Sequence, residues 1–500
     1  MKNLYLLVFF LLFLTFPAEL LSQNNTLQKY VESLKSRECL KNAIVGIKVA
    51  DSKGYTIASQ NPDIPLLPAS TLKIITTGVA LNLFGKEYRF STHLGYSGDI
   101  VNGVLNGNIY IIGNGDPTLG APVLPANSVA LSVRSADFTV LPPDSLFSCW
   151  RGAIIKAGIE EINGNIVADD TYFEDEVIPV SWSWGNIGAF YGSGVSGLSF
   201  YENFQNIVLK RSDSTSSEII ISNLFPVVPE MRVRNNLKLL HKKVSDSFIY
   251  FTSDLAKIGA LKGAIYMKGD SLTISLSNKF PHLSCAYEFK EYLFRNGMRG
   301  SVNVLDYKEY ADLNRITDTL YTTFSPPLEW VVNVTNRESN NLYAEALFRN
   351  IGKSLKGNGS YDSSKVALTE ELMKMGIEHN DFIQSDGSGL SRQNYVTARF
   401  LCDYLTSIRY TKEFATFYNS LPQPGTPGTL EHVLYKADLS LKRRIRAKSG
   451  SLDNVKCYAG YVERRSGELI SFAILINNYL ANTSEIQGVI EELMREMLNY

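Results

Sequence analysis

Pro68-Ala69-Ser70-Thr71-Leu72-Lys73 runs straight into an apolar stretch, Ile74-Ile75 through Val79-Ala80-Leu81. Pro and Ser just ahead of such a stretch predict a helix N-terminus. Three residues is just under one helical turn, so Ser70 and Lys73 share a face. A hydroxyl beside an amine is a nucleophile beside a possible base. The competing reading is a serine cap with a solvated lysine. No other lysine in the chain has a serine three positions before it.

Outward from this helix the chain changes character twice. Before it, Leu27, Tyr30, Val31 and Leu34 recur at helical spacing. Ala43–Val49 and Tyr55–Ala58 then flank Asp51-Ser52-Lys53-Gly54, which predicts a hairpin. From about Tyr88 to Leu313 short β-like runs dominate, broken by Gly, Asn, Asp and Pro. Within that region Tyr172, Trp182, Trp184, Phe190, Tyr191, Phe200 and Tyr201 concentrate aromatic rings, most of which are expected in a core, with a ligand wall as the competing reading. The helical style returns after Leu313. The tail reads as a strand–turn–strand meander, 446–476, followed by a helix carrying Ile486, Val489, Ile490, Leu493 and Met497. The early hairpin and the late meander would share one antiparallel sheet, with the first and last helices on one face. The β-rich middle is then an insertion. The expected organisation is a signal peptide over 1–22, a catalytic domain from 23–88 and 314–500, and inserted accessory structure over 89–313.

The composition is 45% hydrophobic and 20% charged, with a formal net charge of -1, so a sizeable core is available. That charge balance argues against general nucleic-acid binding. Lys2, the apolar run Leu4–Phe16 and a small residue at Ser22 predict a cleaved signal peptide and an exported chain with no later membrane segment. The five cysteines are scattered and lack Cys-x-x-Cys spacing, so no disulfide scaffold is expected. The five histidines form no His-x-x-x-His pair, so no zinc site is expected; no cofactor is expected either.

A serine hydrolase needs a base, an oxyanion site and a means of holding substrate. The chain has no Gly-x-Ser-x-Gly elbow. It does carry Ser70-x-x-Lys73, Ser339-x-Asn341 and Lys448-Ser449-Gly450, in that order. This is the set used by penicillin-binding proteins and class A β-lactamases. Around those segments the chain resembles the D-alanyl-D-alanine carboxypeptidase/endopeptidase branch of the penicillin-binding proteins, low-molecular-mass class C. The resemblance rests on Pro-Ala-Ser-Thr-x-Lys at 68–73, Ser-x-Asn with Leu-Tyr-Ala-Glu at 339–345, and Asp-Gly-Ser-Gly-Leu-Ser-Arg at 386–392. Lys-Ser-Gly-Ser-Leu at 448–452 and Ala-Gly-Tyr-Val at 459–462 complete it. The long gap between Lys73 and Ser339 resembles that branch's inserted domains.

The resemblance implies an α+β transpeptidase-like fold, an antiparallel sheet flanked by helices, with a large β-rich insertion. It implies a periplasmic DD-peptidase acting on peptidoglycan stem peptides and binding β-lactams. Carried over by position, Ser70 would attack the penultimate D-Ala carbonyl and Lys73 would take its proton. Ser339 would relay a proton to the leaving nitrogen, and Asn341 would bond the substrate peptide. Lys448 and Ser449 would hold the terminal carboxylate, beside Gly450, and the N–H groups of Ser70 and Ser451 would form the oxyanion hole. For Ser339 and Asn341 the competing reading is a helix cap, and for Lys448 a strand-edge charge. For 386–392 it is a turn held by its own side chains. An esterase or D-aminopeptidase using the same residues, or a wall-binding protein without turnover, are the alternative functions. The base role sets a physical condition. An ordinary lysine, with a pKa near ~10.4, is neutral in roughly one molecule in a few thousand at pH 7, so Lys73 needs a drop of roughly three units.

Overall fold

The computed structural model describes residues 18–122, 140–212, 218–242, 247–309, 318–377 and 381–500. The apolar run Leu4–Phe16, His379 and the expected boundary at 313/314 lie outside these residues. Helix α1 (Ala18–Ser33) runs through the expected cleavage point. Strands β1 (Ile44–Ala50) and β2 (Thr56–Gln60) form the predicted hairpin, and a 3-10 turn, Ala69–Leu72, opens helix α2 (Lys73–Phe84).

The chain then builds β3 (Ser91–Val101), β4 (Val104–Gly113), α3 (Pro143–Lys156) and β5 (Glu161–Asp169). Strands β6 (Phe204–Arg211), β7 (Ile219–Phe225), β8 (Arg232–Leu240), β9 (Ser247–Phe251), β10 (Ile258–Tyr266) and β11 (Ser271–Ser277) follow. Helix α4 (Pro281–Arg295), β12 (Arg299–Asp306) and β13 (Asp318–Phe324) close this part. They make a five-stranded mixed sheet, order β12-β5-β4-β3-β13, and two three-stranded sheets, β8-β10-β9 and β11-β6-β7. The larger sheet packs Leu105, Ile109, Ile162 and Ile166 against Trp150 of α3 and Phe289 of α4. Because β13 pairs with β3, this sheet extends to Phe324, past the boundary expected from sequence. The Thr- and Tyr-rich edge strand carries too weak an apolar alternation to announce itself.

Helices α5 (Leu328–Arg337), α6 (Asn341–Lys356), α7 (Tyr361–Lys374), α8 (Ala398–Ser407) and α9 (Phe414–Ser420) come next. The chain ends in β14 (Ile445–Leu452), β15 (Val455–Glu463), β16 (Leu469–Asn477) and α10 (Thr483–Asn499). The second five-stranded sheet has the order β14-β15-β16-β1-β2, and β1 pairs antiparallel with β16, Ile47 opposite Ile474. Both its faces are covered. On one, Leu27 and Val31 of α1 and Ile486, Ile490 and Leu493 of α10 pack on Val45, Ile47 and Val49. On the other lies the helical layer, centred on α2, whose residues from Lys73 to Leu81 are all buried. With Lys73, Thr76 and Thr77 buried among its apolar residues, this helix sits in the core and anchors Ser70 there. The fold is therefore α+β, as expected, and all five cysteines are free. Among the described residues no helix is long and apolar enough to cross a membrane.

Candidate active site

Ser70 sits in the 3-10 turn ahead of α2, and its side chain caps nothing. Lys73, fully buried at the first helical position, donates to Ser70 Oγ at 2.9 Å, to Asn341 Oδ1 at 2.7 Å and to the Ser388 carbonyl at 2.8 Å. Those partners saturate an ammonium. They suit a neutral amine equally: two donors for the two carbonyl-type oxygens, and a lone pair facing the Ser70 hydroxyl. Burial pushes Lys73 down to about 7, against the opposing pull of the Glu345 and Asp386 carboxylates.

The loop 386–392 forms the floor of this arrangement. Buried Asp386 accepts from the backbone N–H of Gly389 at 2.8 Å and of Ser391 at 2.6 Å, and from Asn394 Nδ2 at 2.8 Å. The loop is thus held by its own side chains and also presents the Ser388 carbonyl to Lys73. Glu345, buried on α6, receives the N–H groups of Gly387 and Ser388, both at 2.8 Å. Burial, then the Asp386 charge, raises its pKa. Sequence reasoning gave Glu345 no role. Its place four residues after Asn341, one helical turn on, was the available signal.

The Ser-x-Asn segment splits its duties. The cap of α6 is Asn340, whose Oδ1 accepts from the Tyr343 N–H at 3.0 Å. Neither Ser339 nor Asn341 caps. Asn341 Nδ2 donates to the Tyr191 carbonyl at 2.9 Å, so its Oδ1 faces Lys73. Ser339 has φ 60° and lines a cavity of about 310 Å³ with Phe190, Tyr191 and Asn341. It is not among the partners of Lys73. The cleft over Ser70, about 490 Å³, is lined by Tyr191, Asn341, Asn186, Arg392 and Ser451. The aromatic concentration is therefore divided. Phe200 and Trp182 are buried, but Trp184, Phe190 and Tyr191 are 67%, 56% and 42% exposed; Phe190 walls the cavity beside Ser339 and Tyr191 walls both. Trp182 reaches the floor loop by donating Nε1–H to Asp386 at 2.8 Å.

Strand β14 closes the other side. Gly450 lies so near the nucleophile's turn that a Cβ there would stand 2.7 Å from the Pro68 carbonyl and 2.9 Å from Ser70 N. Lys448 is fully buried, not a solvated edge charge, and donates to the Ser449 carbonyl at 2.8 Å. Burial and the neighbouring amines of Lys73 and Lys456 push it well below the ordinary lysine value. Ser451 Oγ accepts from Lys456 at 3.0 Å. Ala69, just before the nucleophile, has φ 47°. Such strain costs about 1–3 kcal/mol and persists where its surroundings over-determine it. Here Gly389 presses on the Ala69 carbonyl, leaving no room for a side chain.

Among the described residues a further titratable cluster lies beside the sheet β12-β5-β4-β3-β13. His282 Nε2 is 3.1 Å from Asp306, and the Lys308 ammonium is 3.0 Å from Asp170. The lysine supplies the cation there, so this is an ion-pair network tying α4 to β5 and β12.

Residues 27–497 match the model of the D-Ala-D-Ala carboxypeptidase 3 (S13) family. The chain is 24% identical over 478 residues to the D-alanyl-D-alanine carboxypeptidase of Actinomadura sp. (strain R39), covering 91% of this chain and 81% of the relative. It is 24% identical over 433 residues to D-alanyl-D-alanine carboxypeptidase DacB of Haemophilus influenzae, covering 86% and 84%. In fold it is similar to the crystal structure of penicillin binding protein 4 (dacB) from Haemophilus influenzae, with a TM-score of 0.78 and 22% identity over 94% of this chain and 98% of that one.

Proposed function

The chain belongs to the D-Ala-D-Ala carboxypeptidase 3 (S13) family, the serine-type DD-peptidases, and from that premise we propose that it cleaves peptidoglycan stem peptides in the periplasm through an acyl-enzyme at Ser70. Neutral Lys73 takes the hydroxyl proton while Ser70 Oγ bonds to the carbonyl carbon of the penultimate D-Ala. The resulting oxyanion accepts from the N–H groups of Ser70 and Ser451. The C–N bond then breaks, and the departing nitrogen receives a proton through Ser339. Water hydrolyses the acyl ester and restores Ser70. Asn341 holds the substrate backbone. Lys448 and Ser449 hold the terminal carboxylate, whose charge opposes the deprotonation of Lys448 that burial favours. A β-lactam enters the same step and stops at the ester. The leaving group is free D-Ala in carboxypeptidase action and a cross-linked chain in endopeptidase action.

The observation that carries this reading is the buried amine of Lys73 held 2.9 Å from Ser70 Oγ. The test is covalent labelling. Purified mature protein takes a fluorescent penicillin at Ser70, located by peptide mapping, and S70A takes none. Wild-type protein that remains unlabelled would defeat the proposal. Digestion of purified muropeptides then separates the two activities, by release of D-Ala or by splitting of dimers.

A further inference from the structure

Asn341 can face Lys73 with its carbonyl oxygen or with its amide NH2. The second would set two donors against each other whenever Lys73 is charged, and would deny the neutral amine an acceptor. The Tyr191 carbonyl makes the choice. A carbonyl only accepts, so Asn341 Nδ2 turns to it at 2.9 Å and Oδ1 is left for Lys73 at 2.7 Å. Tyr191 belongs to no element of the catalytic sheet or its helices. It lies in a short 3-10 turn, Phe190–Gly192, between β5 and β6, with 42% of its surface exposed.

That turn is held from behind by the last residue of β11, Ser277, and by Lys279 just after it. Lys279, 3% exposed, donates to the Gly192 carbonyl at 2.6 Å and to the Ser193 carbonyl at 3.0 Å. Ser277 adds its hydroxyl to the Ile187 carbonyl at 2.7 Å and its N–H to the Gly188 carbonyl at 3.1 Å. An amine buried this deeply is costly without such partners. Burial pushes Lys279 down to about 7, with the Asp254 carboxylate acting the other way.

We propose that Lys279, remote from substrate, is a positioning residue for the chemistry at Ser70: it pins the Phe190–Ser193 turn so that the Tyr191 carbonyl orients Asn341 toward Lys73. The inference rests on the DD-peptidase reading of the site and gives the inserted strands a part in the reaction. Lys279→Met keeps the stem but supplies no donor. The turn then drifts, the Asn341 amide loses its fixed sense, and acylation slows while the fold persists.

The experiment is a double-mutant cycle on the acylation rate by fluorescent penicillin, using K279M, N341A and both together, each checked by circular dichroism. Wild-type labelling is read first; its absence would overturn the reading of the site and this proposal with it. With the wild type labelled, K279M is expected to acylate about tenfold more slowly or worse, and K279M in the N341A background to change the rate less than about twofold, because coupled residues are non-additive. A merely structural lysine would slow both backgrounds equally, and that result, or wild-type acylation by K279M, overturns the proposal. Should K279M fail to fold, S277A replaces it in the same cycle, with the same direction expected and independence from Asn341 again the refuting result.

Discussion

In the proposed reaction one amine, that of Lys73, is asked to be a base near neutral pH. It serves only when uncharged, and burial brings it from the ordinary 10.5 to about 7. The acylation rate should therefore climb with pH and level off above about 7, where an unperturbed lysine would still be charged. Stopped-flow labelling from pH 5 to 9 reads this directly; a rise still continuing at pH 9 would refute it. The same shift has a sign for stability. Between about 7 and 10.5 the unfolded chain binds a proton that the folded site does not, so this group's contribution to stability rises with pH across that window. Lys73→Met removes the base and is expected to slow acylation by roughly 10²–10⁴-fold, the usual contribution of general-base catalysis. Glu345 and Asp386 are the neighbours that limit how far the amine falls, and substituting Glu345 with Gln should shift the rising limb to lower pH.

Among the elements, β14 and the turn before α2 are the pair whose separation matters most. Gly450 has backbone atoms, not flexible side-chain ends, within 3 Å of where a Cβ would stand. Gly450→Ala must then push the strand from Ser70, costing about 1–3 kcal/mol as overpacking does and dropping acylation with it. Gly488, inside α10, has nothing within 4 Å of its would-be Cβ. Gly488→Ala is expected to stabilise by about 0.5–1 kcal/mol through helix propensity alone. Thermal unfolding of the two variants should move in opposite directions; a common direction would contradict the packing described. These elements also show what a sequence can disclose. The hairpin, the closing meander, α2 and α10 follow from local apolar periodicity, and Ser70, Lys73, Asn341 and Lys448 lie at element starts or in strands with characteristic neighbours. Tyr191 is visible as one ring of the aromatic concentration, but its contact with Asn341 is not. Its working group is a backbone carbonyl with no side-chain signature, and it meets Asn341 from 150 positions away. Nothing in its neighbours sets Lys279 apart, because only tertiary docking buries it. Which rings of the aromatic concentration line a core and which, like Phe190 and Tyr191, form a wall could not be read either: ring chemistry alone does not say which side is solvent.

For the molecule as a whole, the inserted strands have apolar cores of their own, one around Trp150 and Phe289 and a smaller one around Ile207 and Leu261, separate from the two that flank the catalytic sheet. Separate cores would ordinarily unfold separately. The joint that opposes this is Arg349 on α6. It is fully buried, yet its guanidinium donates to backbone carbonyls: Glu174 at 2.7 Å, and Glu176 and Val195 at 2.6 and 3.1 Å. Its face lies 4.6 Å from the Phe173 ring centroid and 5.3 Å from that of Tyr361. One side chain on α6 thus gathers the segments on either side of the Tyr191 turn, and that stretch supplies Ser183, Asn186 and Tyr191 to the cleft over Ser70. Arg349→Met keeps much of the volume but strands the buried Val195 and Gly359 carbonyls, each worth about 1–3 kcal/mol when left unpaired, and gives up the part-buried bonds to Glu174 and Glu176. Calorimetry of the wild type should give one cooperative transition, and R349M two, the earlier one accompanied by loss of penicillin labelling while the inserted sheets are still folded. A single transition shifted by less than about 1 kcal/mol, with labelling intact, would mean that the coupling between the two parts runs elsewhere.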